Sequence, residues 1–402
     1  MYLLLFLICF IGNSWFSPLF VNAASTILFV GTYTGDGAND SKGIYAFSLD
    51  NTTSTLTPLG LAVAAPNPSY VLLHPTHKYL YAANEETNGR ISAFKIDTSQ
   101  PGRLTYINQQ SSGGAGPCYL SINRAGGHIF VANYNDGTVA ALPIDGSDGS
   151  LKTYSGFDQH VGGSVDPDRQ RSAHAHCILP DKIEQNLLSA DLGADKIFVY
   201  RFFPNNGSLL RINAVSTARA GDGPRHLIFN SNEKFVYIAN ELKSTVTVYS
   251  YFPSLRPIQI ISTLPSDFTS PSYVAELLLH PISEKFLYIS NRGHDSIAVF
   301  SVNQSTGILA PLQYISVQGQ NPRNFNITPD GKYLIVANQN SNNLVVFSID
   351  PATGILTATG STAQTFEQVE LFNNDMHSSV FILSSTYQHP QNNIARIFFG
   401  VF

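Results

Sequence analysis

Eight side chains able to hold charge or move protons fall at matched places along this sequence: His174, His176, Arg225, His226, Glu241, Glu276, Arg292 and Arg323. They stand out because only 13% of the 402 residues are charged, against about 25% in an ordinary soluble domain. Arg225 and Arg323 each follow a proline, in Gly221-Asp-Gly-Pro-Arg-His226 and Gly319-Gln-Asn-Pro-Arg-Asn324, and the proline restricts the local backbone. A planar guanidinium binds a carboxylate or phosphate in a bidentate way. A second use of the same charges is purely structural, with Glu241 paired to Arg225 and Glu276 to Arg292 as ties between neighbouring segments. His174 and His176, two apart in a strand, share a face and suggest two metal ligands. A typical catalytic zinc takes a third protein ligand, however, and no complete motif supplies one, so no metal is assigned. His226 reads equally well as a core histidine. Neither a Gly-x-Ser-x-Gly elbow nor a glycine-rich phosphate loop before a helix is present, which disfavours covalent serine chemistry.

The elements that must position these residues come from a repeat. Six stretches end alike, at Asn84, Asn133, Asp191, Asn240, Asn291 and Asn338, spaced 49, 58, 49, 51 and 47 residues apart, with an insertion in the third unit. Each unit reads as a lead-in strand (Val71 to Leu73), this anchor strand, a third strand (Arg90 to Ile96, Ser296 to Val302) and a fourth after a turn such as Ser305-Thr-Gly-Ile-Leu309. Four short antiparallel strands every 40 to 50 residues is the signature of a β-propeller blade. Residues 27–32 and 43–49 supply a seventh, incomplete copy lacking its lead-in strand. The expected fold is all-β, a seven-bladed propeller of four-stranded antiparallel blades whose closure removes exposed sheet edges. An open solenoid is the alternative, but neither end carries a polar capping repeat.

One set of variable residues opens the inner strands: Tyr70, Tyr119, His176, His226, Glu276 and Asn324. A second follows the anchors: Glu85, Tyr134, Leu192, Glu241, Arg292 and Gln339. The two sets are offset by 15 or 16 residues. Antiparallel pairing puts the start of one strand beside the end of the other, so the sets are expected as two rings at one mouth of the channel, where convergent polar groups mark a binding site.

The remaining composition narrows the class. A net charge of −5 leaves no basic excess for nucleic acid. An apolar run from Tyr2 to Ile11, with small residues around Val21-Asn22-Ala23, reads as a secretory signal peptide too short to span a bilayer. Residues 1–23 are therefore assigned to the signal, 24–360 to the propeller and 361–402 to a segment that follows no repeat, from which Ser379 to Leu383 or Arg396 to Phe402 would close the ring. The mature protein is expected in the secretory lumen or outside the cell, with no membrane contact after cleavage and a cytosolic location as the alternative. Five Asn-x-Ser/Thr sequons, at Asn39, Asn51, Asn206, Asn303 and Asn326, fit that route. Cys118 and Cys177 read as buried free thiols, with a disulfide between them as the alternative.

These motifs resemble the seven-bladed propeller lactonases, a family that includes bacterial-type 6-phosphogluconolactonase and fungal carboxy-cis,cis-muconate cyclase. The resemblance runs from about Ile27 to Gly360. It is carried by Ala173-His-Ala-His176, Gly221-Asp-Gly-Pro-Arg-His226, Asn240-Glu241, Ala275-Glu276, Ser290-Asn-Arg-Gly293 and Pro329-Asp-Gly-Lys-Tyr333. What the resemblance implies is a cofactor-free enzyme acting on a small-molecule lactone or carboxylate, with His176, Arg225, Glu241 and Arg292 as catalytic residues. His174, His226, Glu276 and Arg323 would then line the substrate. In a lactonase, Glu241 or His176 takes a proton from water, Arg225 stabilises the oxyanion, and Arg292 with Arg323 grips an anionic group. In a carboxymuconate-type cycloisomerase the substrate's own carboxylate attacks a double bond and an acid protonates the carbon. A secreted binding propeller without catalysis is a third reading, which the intact Arg225, Glu241 and Arg292 set opposes.

Overall fold

The anchor stretches are short, apolar and β-branched or aromatic, which suits a strand covered on both faces. In the computed structural model they are the second strands of seven blades; Phe235–Asn240, for example, is buried along its whole length. Outer strands such as Ser208–Ser216 are half-buried or exposed along their whole length. The structure describes residues 25–365, apart from 36, 38, 39, 252 and 253, and adds the backbone of 381 and 382. Among these residues the sheets are seven, each of four antiparallel strands. The signal assignment and most of the segment after 365 lie outside the described residues.

Blades 1 to 6 begin with inner strands Pro68–Leu73, Pro117–Ile122, Ala175–Pro180, Pro224–Phe229, Tyr273–Leu279 and Pro322–Ile327. Blade 7 is assembled from both ends of the chain. Ser25–Gly31, Gly43–Asp50 and Leu56–Ala64 form three of its strands, and Phe381–Ile382 pairs with the first of them as the inner strand. That pair falls inside the first of the two segments considered for closure.

Between blades the core is apolar. Tyr81, Phe130, Val131 and Ile129 pack in the cluster spanning blades 1 to 4, and Tyr288, Leu287, Phe300 and Val336 in the one spanning blades 4 to 6. In several blades the turn before the outer strand covers an aromatic of the preceding blade. Gly307 takes φ +74° there, and a Cβ would meet the Phe235 ring at 2.6 Å; Gly354 stands likewise over Phe286 at φ +73°. Only glycine meets both demands. Several anchor asparagines act as clasps: Asn133 Nδ2 donates to Ser112 O at 3.0 Å and Asn291 Nδ2 to Thr263 O at 2.8 Å. Each ties its blade to the exit of the blade before, which is why the residue recurs.

Candidate active site at the channel mouth

The inner strands of blades 1 to 6 slip register at their first residues: between Pro68 and Tyr70, Pro117 and Tyr119, Ala175 and Cys177, Pro224 and Leu227, Val274 and Leu277, and Pro322 and Asn324. A bulge leaves a residue outside the ladder and re-aims its side chain. The residues so released include Ser69, Cys118, His176, Arg225 and Arg323. This corrects the ring expected from spacing. Cys177, opposite Ala190, takes the place that Tyr119 takes opposite Ala132, so His176 stands one position earlier, in the ring of Arg225 and Arg323. Spacing alone missed the bulge because an extra residue in one strand is invisible until its partner is known.

Glu241 is the hub. It opens a short 3-10 turn after Asn240, its amide donating to Gly223 O at 2.8 Å, and its side chain is only 4% exposed. Arg169 Nη2 donates to its Oε1 at 2.7 Å. Its Oε2 lies 3.0 Å from Arg225 Nε and 2.9 Å from Arg292 Nη2. Burial would raise the Glu241 pKa, but the Arg292, Arg225 and Arg169 charges outweigh it and bring it down to about 2. Burial lowers Arg292 to about 10 against the pull of Glu241. The Arg225 guanidinium donates from Nη1 to Ala275 O at 2.9 Å and to His226 Nε2 at 3.1 Å. Arg292 Nε is a buried donor without a hydrogen-bond partner among the described residues.

The expected pairing of Glu276 with Arg292 is not formed. Arg292 goes to Glu241 and to Val274 O, at 3.1 Å, while Glu276 accepts from His226 Nδ1 at 3.0 Å and Asn324 Nδ2 at 2.5 Å. An arginine only donates, so the contact from Arg225 fixes His226 as the Nδ1–H tautomer with Nε2 accepting. Both ring nitrogens of His226 are thereby occupied, and the residue positions Arg225 against Glu276. The expected Glu241–Arg225 pair is present, enlarged by two further arginines.

His176 is fully enclosed. Burial first, then the Arg225 charge, holds its pKa well below the ordinary 6.5, so its imidazole is neutral. Nδ1 faces the Cys118 thiol at 3.7 Å. Tyr134 packs on its edge at 5.5 Å and His226 at 5.2 Å. His174 points elsewhere: its ring stacks on Tyr134 at 4.5 Å, and its Nδ1 donates to Tyr134 O at 2.8 Å. The Asp191 anchor, which accepts from the His174 amide at 2.8 Å, sets that course. No group of three metal-ligating side chains lies together among the described residues. Cys118 and Cys177 are buried, unbridged thiols.

Burial lowers the Arg323 pKa, but the charges of Tyr33 and Glu85, on the two blades that follow, outweigh it and raise it. Two contributors escaped the sequence reading. One is Tyr33, which lies in the incomplete copy. The other is Arg169, on a strap between the strands Gly156–Gln159 and Ala175–Pro180. The strap is pinned by Asp166 Oδ1 accepting from the Asp168 and Arg169 amides and by Gln170 Nε2 donating to Leu192 O. Its signal was the 58-residue spacing, the one long unit in the repeat.

The comparisons with known proteins agree with this architecture. A family model described as lactonase, 7-bladed beta-propeller, matches residues 27–371. A 6-phosphogluconolactonase from Bacillus subtilis is 36% identical over 306 residues, 75% of this chain and 84% of the relative. One from Formosa agariphila is 34% identical over 317 residues, 76% and 87% of the two chains. Among solved structures, the periplasmic gluconolactonase of Pseudomonas aeruginosa matches with a TM-score of 0.79 at 34% identity, covering 85% of this chain and 96% of its own.

Proposed function

The chain belongs to the seven-bladed β-propeller lactonase family, and from that premise we propose that it hydrolyses a sugar lactone at the mouth built around Glu241. The observation that carries the reading is the buried Arg292 Nε, a donor without a hydrogen-bond partner among the described residues, set beside the Arg225–Glu241 pair and a neutral His176. Buried donors in a native protein are met by a partner, and the oxygen of a lactone carbonyl is an acceptor of the right kind.

Of the two bases considered, His176 is the better. Both carboxylate oxygens of Glu241 are taken by three arginines, so Glu241 fixes the guanidiniums around it and the neutral His176 is left to accept the proton. In the proposed step His176 takes a proton from water, and the water oxygen bonds to the lactone carbonyl carbon. The carbonyl electron pair moves to an oxyanion held by Arg225 and Arg292. Collapse of that intermediate breaks the ring C–O bond, the protonated His176 returns its proton to the departing ring oxygen, and the new carboxyl group gives its remaining proton to solvent, so the product leaves as a hydroxy acid in carboxylate form. Arg169, 38% exposed, is placed to meet the substrate first. The periplasmic setting of the Pseudomonas relative supports reading residues 1–23 as an export signal. No helix among the described residues is long and apolar enough to cross a membrane.

Acid release in a weakly buffered assay tests the proposal. Wild type is expected to turn over at least one lactone above the spontaneous rate. His176→Gln lowers kcat by at least about a hundredfold, and Arg169→Gln lowers kcat/KM about tenfold by removing a charged hydrogen-bond donor. A folded wild type with no turnover of any lactone overturns the reading and moves the cycloisomerase ahead of it.

A further inference from the structure

Beside the hub, on the same face, a second cleft of about 280 Å³ opens between blades 5 and 6, lined by Tyr273, Arg292, Asp295, Gln320, Asn321 and Asn340 among others. Tyr273 is the direct cross-strand partner of Arg292, so the cleft continues from the arginine that the reaction uses. Its size is near the lower end of ligand pockets, which start at about 300 Å³, and suits one ring.

Amides and hydroxyls dominate the lining. Asn321 Nδ2 donates to Asn340 Oδ1 at 3.2 Å and to Gln339 Oε1 at 3.0 Å. The Gln320 side-chain amide, Asn340 Nδ2 and the Tyr273 hydroxyl have no hydrogen-bond partner among the described residues. A carboxamide both donates and accepts, as a sugar hydroxyl does, and the Tyr273 ring, 40% exposed, offers a flat apolar face with a polar tip.

Charge excludes an anion there. Arg292 is the one cation in the lining, and it is committed to Glu241 and Val274 O. Asp295 adds a negative charge, its Oδ1 holding the amides of Gly293 at 3.2 Å and Asn321 at 2.8 Å. A phosphate dianion would meet a carboxylate with no uncommitted cation to offset it.

We infer that this cleft is a subsite for the uncharged hydroxyls of the substrate, which makes the substrate class an unphosphorylated sugar lactone whose carbonyl points to Arg225 and Arg292. The inference rests on the lactonase reading above and names its substrate.

Two measurements separate the failure of one from the failure of the other. Purified full-length protein is assayed for kcat/KM with glucono-δ-lactone, 6-phosphoglucono-δ-lactone and δ-valerolactone, as wild type, Tyr273→Ala and Gln320→Ala. D-Gluconate and 6-phosphogluconate are titrated calorimetrically into the same proteins. Wild type is expected to favour gluconolactone over both other lactones. Each variant should lower the gluconolactone-to-valerolactone ratio about five-fold, the effect of one lost hydrogen bond, and weaken gluconate binding alike. Preference for the phosphorylated lactone, or for 6-phosphogluconate over gluconate, overturns the inference while leaving a lactonase in place. An unchanged ratio in both variants removes the cleft from substrate recognition. Gluconate binding weakened by Tyr273→Ala in a protein that turns over no lactone upholds the subsite and overturns the hydrolysis.

Discussion

The two halves of the channel mouth share a backbone and differ in everything they present on it. In blades 1 and 2 the bulge releases Ser69 and Cys118, followed by Tyr70 and Tyr119, whose rings meet at 4.8 Å. In blades 3 and 4 the same bulge releases His176 and Arg225 beside His226. Tyr119 bridges the halves, its ring 4.9 Å from His226. The difference teaches that the fold supplies a ring of re-aimed positions and demands nothing of their chemistry. An apolar or small residue there closes the wall, and a charged one builds a site, provided the charge finds counter-charges on other blades.

The largest expected break in that comparison is Arg225→Ala. It leaves Glu241 with one fewer cation and His226 Nε2 without its donor, and breaking a buried pair in this way costs about 3–5 kcal/mol. Urea unfolding would read this as a lowered midpoint; a loss under about 1 kcal/mol would mean the pair is not a stabilising hub.

Acid should act on the charged half next. His176 and His226 are held below 6.5, chiefly by burial, so under pH 6.5 the unfolded chain binds protons that the folded protein refuses. Stability therefore falls with pH, by about 1.4 kcal/mol per pH unit for each histidine. Glu241 adds a second, lower limb: its contribution is complete above 4.5 and is lost as pH falls towards about 2. Midpoints measured from pH 7 to 4 should show this slope in wild type and a shallower one in His176→Gln. Equal slopes would place the titration elsewhere.

The smallest effect belongs to the quiet half. Ser69 occupies the bulge position of Arg225, and its buried Oγ has no hydrogen-bond partner among the described residues. Ser69→Ala removes only an unmet polar group, so stability should stay within about 0.5 kcal/mol or rise slightly. A large loss would show that the bulge itself depends on that hydroxyl.

Much of the fold was legible because a blade is a local object. The Asn that ends most anchor strands clasps its blade to the one before at Asn133, Asn291 and Asn338, whose side chains donate to Ser112 O, Thr263 O and Val317 O, whereas Asn240 bonds within its own blade. Glycines such as Gly149, Gly307 and Gly354 recur because the turn there lies on an aromatic ring of the preceding blade. The candidate site was half legible. Arg225, Glu241 and Arg292 could be placed on one face by strand direction, but Arg169 stood outside the repeat and Cys177 was hidden by a bulge.

The sequence by itself determined the period of the blades, the face that carries the charged residues, and which residue types stand there, because these follow from alternation along strands and from a repeat of about 50 residues. Tertiary structure decided who pairs with whom. Glu241 took arginines from two other segments and a strap, one of them 72 residues away, in preference to the tidy Glu276–Arg292 match. A buried charge selects partners by direction and distance in space, and those depend on bulge geometry and loop course that no spacing along the chain records.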